Sequence, residues 1–209
     1  MHLKRSRIPK TWPIKRKGTK YVVRPLSNIK NSLPLLIVLR DILGLAKDRK
    51  EVKKLIHLKK IKVNNKFVKD EKFAVTLFDV ISLNGKDLRL ILKNKKFSLE
   101  EAKDKEKIVK VIGKKILKKG KVQINLGDGR NYLFNEKIKV GDSVILDLEK
   151  NKISKILPMK KDSKIIFISG KRLGEEGTIE DILQEKGIIK VKTKDGVLNA
   201  KKENVMVVK

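Results

Sequence analysis

The first sustained pattern along the chain begins at Leu33-Pro34. After it Leu35, Leu36, Ile37, Leu39, Ile42 and Leu43 fall mostly on one side of a helix, with Gly44 placed to end it. A second helix is predicted from Asp48, which can cap the free N–H groups, with Glu51 three residues on at capping-box spacing. Val52, Leu55 and Ile56 then recur at i, i+3 and i+4 as an apolar face. Arg49, Lys50, Lys53 and Lys54 occupy the rest of that helix surface, and Lys59, Lys60 and Lys62 extend the cluster. The run Ile61-Lys62-Val63-Asn64-Asn65-Lys66-Phe67-Val68 alternates around an Asn-Asn pair, and because Asn tolerates positive φ this predicts a tight hairpin turn. A further strand is expected at Asp79-Val80-Ile81-Ser82-Leu83, before an Asn84-Gly85 turn.

Beyond residue 98 the period shortens to strands. Ile108 to Ile112 is one; Val122 to Leu126 leads into the turn Gly127-Asp128-Gly129-Arg130-Asn131, and Tyr132-Leu133-Phe134 returns. Val140-Gly141-Asp142 turns into Ser143 to Leu148, where Val144, Leu146 and Leu148 alternate with Asp147 and Glu149. Short strands separated by turns suggest a small barrel or sandwich. The acids here are scattered among lysines and read as surface charge. Residues 162–182 run strand, glycine-punctuated loop (Gly170, Gly174, Gly177), strand. Ile188 to Val191 and Val205 to Val208, with the Asp195-Gly196 turn between them, would close a second barrel.

The first 32 residues carry no sustained period, although Tyr21-Val22-Val23 could form a short strand. They hold three of the five prolines (Pro9, Pro13, Pro25) and the basic clusters Lys4-Arg5-Ser6-Arg7 and Lys15-Arg16-Lys17. This reads as an extended arm that orders on a polyanion. Trp12 lies between the clusters, placed either to stack on a base or to anchor the arm to the folded body.

Composition turns this outline towards nucleic acid. Lys and Arg number 54 against 24 Asp and Glu, a formal net charge of +30, and self-repulsion on that scale calls for a polyanionic partner. The excess falls along the chain. It is +10 over 1–32, where no acid occurs, +10 over 33–97, +7 over 98–160 and only +3 over 161–209. The N-terminal half is therefore expected deep in RNA, and the last segment nearer protein neighbours or a subunit surface. At 40% hydrophobic residues the chain still has cores to fold. With no Cys there is no disulfide scaffold, Cys-ligated zinc or thiol nucleophile, and His2 and His57 are too few for a His-rich metal site. Leu35 to Leu39 is the longest wholly apolar run, against about 20 residues for a membrane span, and no signal-peptide core follows the basic N-terminus. No catalytic residues, cofactor or metal site are expected. A phosphate-cradling reading of the glycine loop fails because its spacing is not that of a P-loop, no helix pattern follows, and Glu175-Glu176 would repel phosphate.

Two resemblances sharpen the picture. Leu39-Arg40-Asp41, then Asp48-Arg49-x-x-Val52-x-x-Leu55-Ile56, then Ile61-x-Val63-Asn64 resembles the two-helix-plus-strands RNA-binding domain of bacterial small-subunit ribosomal protein four. The chain departs from that pattern in having Lys59 where the family often has Gly, and Asn64-Asn65 where it often has Asn-Gly. The glycine-loop module is similar to the KOW motif, a small SH3-like barrel. Taken in order, the basic arm with Pro9-Lys10-x-Trp12, Arg24-Pro25, the helix pair, Phe78 to Ser82, a β-rich centre and the KOW-like module resemble the archaeal and eukaryotic small-subunit ribosomal protein four of the "e" type.

The resemblance implies an α+β, multi-domain chain: a basic extended arm (1–32), the helix-pair RNA-binding domain (33–97), a central β-barrel or sandwich domain (98–160) and a C-terminal SH3-like KOW barrel (161–209). It implies a non-enzymatic, structural constituent of the small ribosomal subunit, cytoplasmic, whose partners are small-subunit ribosomal RNA and neighbouring ribosomal proteins, with no membrane or small-molecule substrate. RNA contacts are expected from Lys4, Arg5, Arg7, Lys10, Trp12, Lys15, Arg16, Lys17, Lys20, Arg24, Arg40, Arg49, Lys50, Lys53, Lys54, Lys59, Lys60, Lys62, Lys171 and Arg172. Aromatics are only 4% of the chain, which favours backbone and shape recognition over aromatic base reading. The alternatives are a KOW-type translation or transcription factor and an RNA-modification accessory protein. Pseudouridine synthases and some tRNA synthetases carry the same helix pair, but they add a catalytic domain for which this length leaves no room.

Overall fold

The computed structural model describes residues 2–118, 121–134, 136–183 and 187–209. It divides into two compact units, residues 1–105 and 106–209.

In the first unit, β1 (Leu3–Lys4) pairs antiparallel with β2 (Tyr21–Val22), and β3 (Ser32–Pro34) pairs with β6 (Ala74–Thr76). Helix α1 (Leu35–Ile37) continues without a break into a π-helical turn, Val38–Ile42. There Leu43 N–H reaches back to Val38 O at 3.0 Å, before Gly44, at φ +62°, ends the helix. Helix α2 (Arg49–His57) buries Val52 and Ile56 and leaves its basic residues outward. A five-stranded antiparallel sheet follows in the order β5-β4-β7-β8-β9, from β4 (Ile61–Val63), β5 (Lys66–Phe67), β7 (Val80–Leu83), β8 (Lys86–Lys93) and β9 (Lys96–Glu101). Leu33, Leu35 to Leu39, Val52, Ile61, Val75, Ile81 and Leu90 form the buried interior.

Local chemistry explains the turns. Asn64-Asn65 (φ 51° and 60°), Asn84-Gly85 (49° and 82°) and Asn94-Lys95 (51° and 62°) each hold two successive positive φ values, the geometry of a hairpin turn matched to strand twist. Asn64 does more than turn. It is buried, its Nδ2 donates to Asp79 Oδ1 at 2.7 Å, and its Oδ1 accepts from Val80 N–H at 3.1 Å. A glycine at that position would lose the link between the hairpin and β7.

Four expectations change here. The boundary expected between 97 and 98 falls inside β9, because β8 and β9 extend the sheet of the helix-pair module. The arm has internal structure: Leu3 and Trp12 are buried, and Phe97 N–H donates to Thr11 O at 2.9 Å. Asp48 sits at the N-cap of α2 with no side-chain cap bond, and Glu51 reaches back to the N–H of Lys47 at 2.7 Å. The fourth concerns charge in the second unit.

That unit contains two five-stranded antiparallel sheets. The first, β12-β11-β10-β13-β14, uses β10 (Glu106–Ile116), β11 (Val122–Leu126), β12 (Asn131–Leu133), β13 (Ser143–Asp147) and β14 (Lys152–Leu157) around Val109, Val111, Ile124, Leu126, Val144 and Leu146. The second, β18-β17-β16-β15-β19, uses β15 (Lys164–Phe167), β16 (Glu176–Leu183), β17 (Ile188–Thr193), β18 (Gly196–Lys201) and β19 (Val205–Val207) around Ile165, Phe167, Ile179, Ile189, Val191 and Val205.

The surface-charge reading of the centre fits Asp104, Glu136 and Glu149, which are exposed, but not Asp128, whose side chain is buried against a lysine. Lys107 Nζ donates to Asp128 Oδ2 at 2.6 Å with both side chains 2% and 4% exposed, and Arg130 Nε lies 3.7 Å from the same oxygen. Burial pushes the Asp128 carboxyl up, but the Lys107 charge and hydrogen bond, joined by the N–H bond and charge of Arg130, outweigh it and hold the group below its ordinary value. Lys110 on β10 donates to the carbonyls of Lys202 (2.6 Å), Glu203 (3.0 Å) and Val205 (2.8 Å), tying the first sheet to the segment that leads into β19.

Candidate nucleic-acid interface

The residues expected to meet RNA divide by type. Most of the arginines are engaged within the chain, and most of the lysines are not.

Arg5 donates from Nε to Thr19 O (2.7 Å), from Nη1 to Lys15 O (2.7 Å) and from Nη2 to Thr19 Oγ1 (2.9 Å). It therefore shapes the loop that presents Lys15, Arg16 and Lys17, all exposed. Gly18 belongs to that loop: its φ is +141°, and a Cβ there would lie 3.1 Å from the Arg5 guanidinium carbon. Arg40 forks onto the neighbouring Asp41 at 3.2 and 2.9 Å. Arg49 donates from Nε to Glu71 Oε1 at 2.9 Å and from Nη2 to the same oxygen. Arg172 bridges Glu175 (2.9 Å) and Asp195 (2.8 Å), fastening the glycine loop to the β17–β18 turn. The hydrogen bond to Asp195, then that to Glu175, raises the Arg172 guanidinium further above its already high value.

By contrast, the ammonium groups of Lys50, Lys53 and Lys54 on α2, and of Lys59 and Lys60 after it, form no hydrogen bond or ion pair among the described residues, and all five side chains are exposed. The helix ends so as to keep them there. Lys59 N–H donates to Ile56 O (2.9 Å) and Lys60 N–H to Leu55 O (3.3 Å), a Schellman closure with Lys59 at φ +53°. The family's frequent glycine at this position is thus a conformational preference that Lys59 meets under strain. Lys4, Arg7, Lys10, Lys20 and Arg24 are exposed along the arm, with Lys20 Nζ 5.5 Å from the Tyr21 ring centroid. Lys62 is half-buried with Nζ 4.9 Å from the Phe67 ring centroid, and Lys171 is exposed in the glycine loop.

Trp12 is corrected. It is 2% exposed and its Nε1 donates to Ser32 O at 3.0 Å, so of its two expected roles it takes the anchoring one. A cleft of about 300 Å³ beside α2 adds residues that sequence reasoning did not single out: His57, Lys69 and Lys72 line it with Arg49 and Lys53, and Glu71 lies between them. Lys69 closes the acid-free lysine-rich stretch from 59 to 69, while His57 and Lys72, on either side of it, carried no such signal. Burial raises the Glu71 carboxyl, but the bond from Arg49 and the charges of Arg49 and Lys53 carry it below its ordinary value, so it stays ionised among the cations of the cleft, which Asp70 also lines.

The arrangement suits polyanion binding: compact lysine charges on a rigid helix, with their arginine neighbours fixing the scaffold. Comparison with known proteins places it. The S4 domain family matches residues 33–81, the helix pair and the first strands, and the family described as "Ribosomal family S4e" matches residues 84–153. The chain is thus a ribosomal-type protein built on an S4 domain. Small ribosomal subunit protein eS4 of Methanocella arvoryzae is 37% identical over 188 residues, covering 87% of this chain and 80% of that one. The protein of the same name from Nanoarchaeum equitans is 34% identical over 195 residues, covering 88% and 82%. The crystal structure of the 30S ribosomal protein S4e from Thermoplasma acidophilum matches with a TM-score of 0.74 at 29% identity, over 86% of this chain and 95% of that one. The chain belongs to the small ribosomal subunit protein eS4 family.

Proposed function

We propose that this protein is a structural constituent of the small ribosomal subunit that binds small-subunit ribosomal RNA through phosphate and shape recognition. The observation that carries the reading is the exposed lysine face of α2, where the ammonium groups of Lys50, Lys53 and Lys54 form no hydrogen bond or ion pair among the described residues while Arg49 is held by Glu71. Displacing condensed counterions from RNA is the favourable reaction open to such a face. The exposed cations of the arm extend the same chemistry.

The working segments are an arm over 1–32, the helix-pair module from 33 to the end of β9, a central β-rich domain to about residue 160, and a C-terminal SH3-like barrel of KOW type over 161–209. Neighbouring ribosomal proteins are the natural partners of the last segment, whose charge is nearly balanced. The role is one of assembly and bracing, carried out on the ribosome in the cytoplasm, and requires no cofactor. A factor that visits the ribosome is the second reading, and neither family match favours it. Co-sedimentation through a high-salt wash separates the two: a constituent stays with small subunits and a factor washes off. Crosslinking the native protein to RNA and sequencing the attached RNA then tests the ligand, and recovery of small-subunit ribosomal RNA is the expected result.

A further inference from the structure

Of the nine aromatic residues, all among those described, only Tyr21 and Phe67 are exposed. Tyr21 already shares its ring with His2, centroid to centroid at 5.3 Å. Phe67 has no ring partner among the described residues, is 51% exposed, and sits on β5, the short edge strand of its sheet. Its cross-strand neighbour is Lys62, whose Nζ lies 4.9 Å from the ring centroid. Between residues 59 and 69 the chain carries Lys59, Lys60, Lys62, Lys66 and Lys69 and no acid.

We infer that Phe67 is a stacking platform for an unpaired nucleobase of the RNA whose phosphates are held by Lys59, Lys60 and Lys66. The choice of occupant follows from charge. An exposed ring alone would suit an apolar protein surface equally well, but one with Lys62 against it, in an acid-free stretch that carries five lysines, favours a strand that pairs phosphates with π-faces. Lys62 fits the same use, since an ammonium beside the ring can turn to a phosphate as a base takes the ring face. The exposed aromatic role that the sequence offered to Trp12 thereby falls to a residue 55 positions later. This inference rests on the RNA-binding reading above.

The test uses the full chain and a transcript of small-subunit ribosomal RNA, with affinity measured across a salt series for the wild type, Phe67→Ala, Phe67→Leu and Phe67→Trp. Stacking predicts that Ala and Leu each weaken binding about tenfold with the salt slope unchanged, while Trp binds as well as the wild type or better. Circular dichroism and thermal melting check that each variant folds. If Leu binds like the wild type while Ala does not, the ring makes an apolar contact and the inference falls. If no variant changes affinity, the inference also falls, while tight wild-type binding leaves the RNA-binding reading standing. If the wild type itself shows no preference for the transcript over unrelated RNA, both fall. A second readout is photo-crosslinking with 4-thiouridine-substituted transcript: an adduct on Phe67 supports stacking, and adducts elsewhere on the chain with none at Phe67 overturn it.

Discussion

Arg49 donates from Nε to Glu71 Oε1 at 2.9 Å, and this contact joins α2 to the segment ahead of β6 that forms the far wall of the lysine cleft. Glu71 is only 5% exposed, so its carboxylate depends on that partner. Arg49→Ala is expected to cost about 1–3 kcal/mol, the penalty for leaving a buried acceptor poorly paired. Because the folded carboxyl lies below its ordinary value of 4.5, the pair's contribution is present above that pH and is lost as pH falls through the folded value. Denaturant titrations from pH 7 down to 3 should therefore show the wild-type advantage over Arg49→Ala shrinking towards the acid end.

Lys59 occupies the left-handed position that closes α2, at φ +53°. An L-residue with a Cβ pays about 1 kcal/mol there, and glycine does not. Lys59→Gly is expected to stabilise the first unit by about that amount in chemical denaturation, and Lys59→Ala is expected to give no such gain.

Gly177 on β16 stands where a Cβ would meet Val191 Cγ1 at 2.7 Å and the backbone oxygen of Lys192 at 2.8 Å. It was read as one of three glycines punctuating a loop, yet of the three only Gly170 and Gly174 take positive φ, at 93° and 82°. Gly177 instead lets β17 approach. Gly177→Ala should cost about 1–3 kcal/mol through overpacking. Hydrogen exchange resolved by peptide should show the loss in residues 106–209 with protection in the first unit unchanged.

Lys110 is buried at 7% exposure, and its ammonium serves three carbonyls. Burial pushes the group down from 10.5 to about 8, against the charge of Glu203. Between those values the unfolded chain holds more protons than the folded one, so this lysine's contribution to stability improves as pH rises from about 8 towards 10.5. Lys110→Met should be less stable at neutral pH by about 1–3 kcal/mol, because it leaves the carbonyls unpaired, and the gap to wild type should widen between pH 8 and 10.

What the sequence revealed of this molecule depended on how local the cause was. Asn64-Asn65 and Asn84-Gly85 were readable because two adjacent residues that tolerate positive φ specify a turn by themselves. The Asn94-Lys95 turn was hidden in a lysine run, Lys93 to Lys96, that looks like solvated charge, and with it went the β8–β9 hairpin. The basic face of α2 was legible from its 3.6-residue period. The fate of the arginines was not, because Arg49 and Arg172 find their partners 22 and 23 residues away. Trp12 likewise needs Ser32, 20 residues on, to satisfy its N–H. Such pairings are made by the tertiary fold and leave no periodic trace.

If the protein binds RNA as proposed, α2 carries the main RNA surface and the nearly neutral C-terminal segment does not. Binding of the full chain to small-subunit ribosomal RNA across a salt series tests it most directly, comparing Lys53→Glu with Lys54→Glu against Lys190→Glu with Lys192→Glu, all four positions being exposed. The first pair is expected to weaken binding more than tenfold and to lower the magnitude of the log–log salt slope by about 2 units, while the second pair changes little. Equal losses from the two pairs, or a larger loss from Lys190 and Lys192, would contradict it.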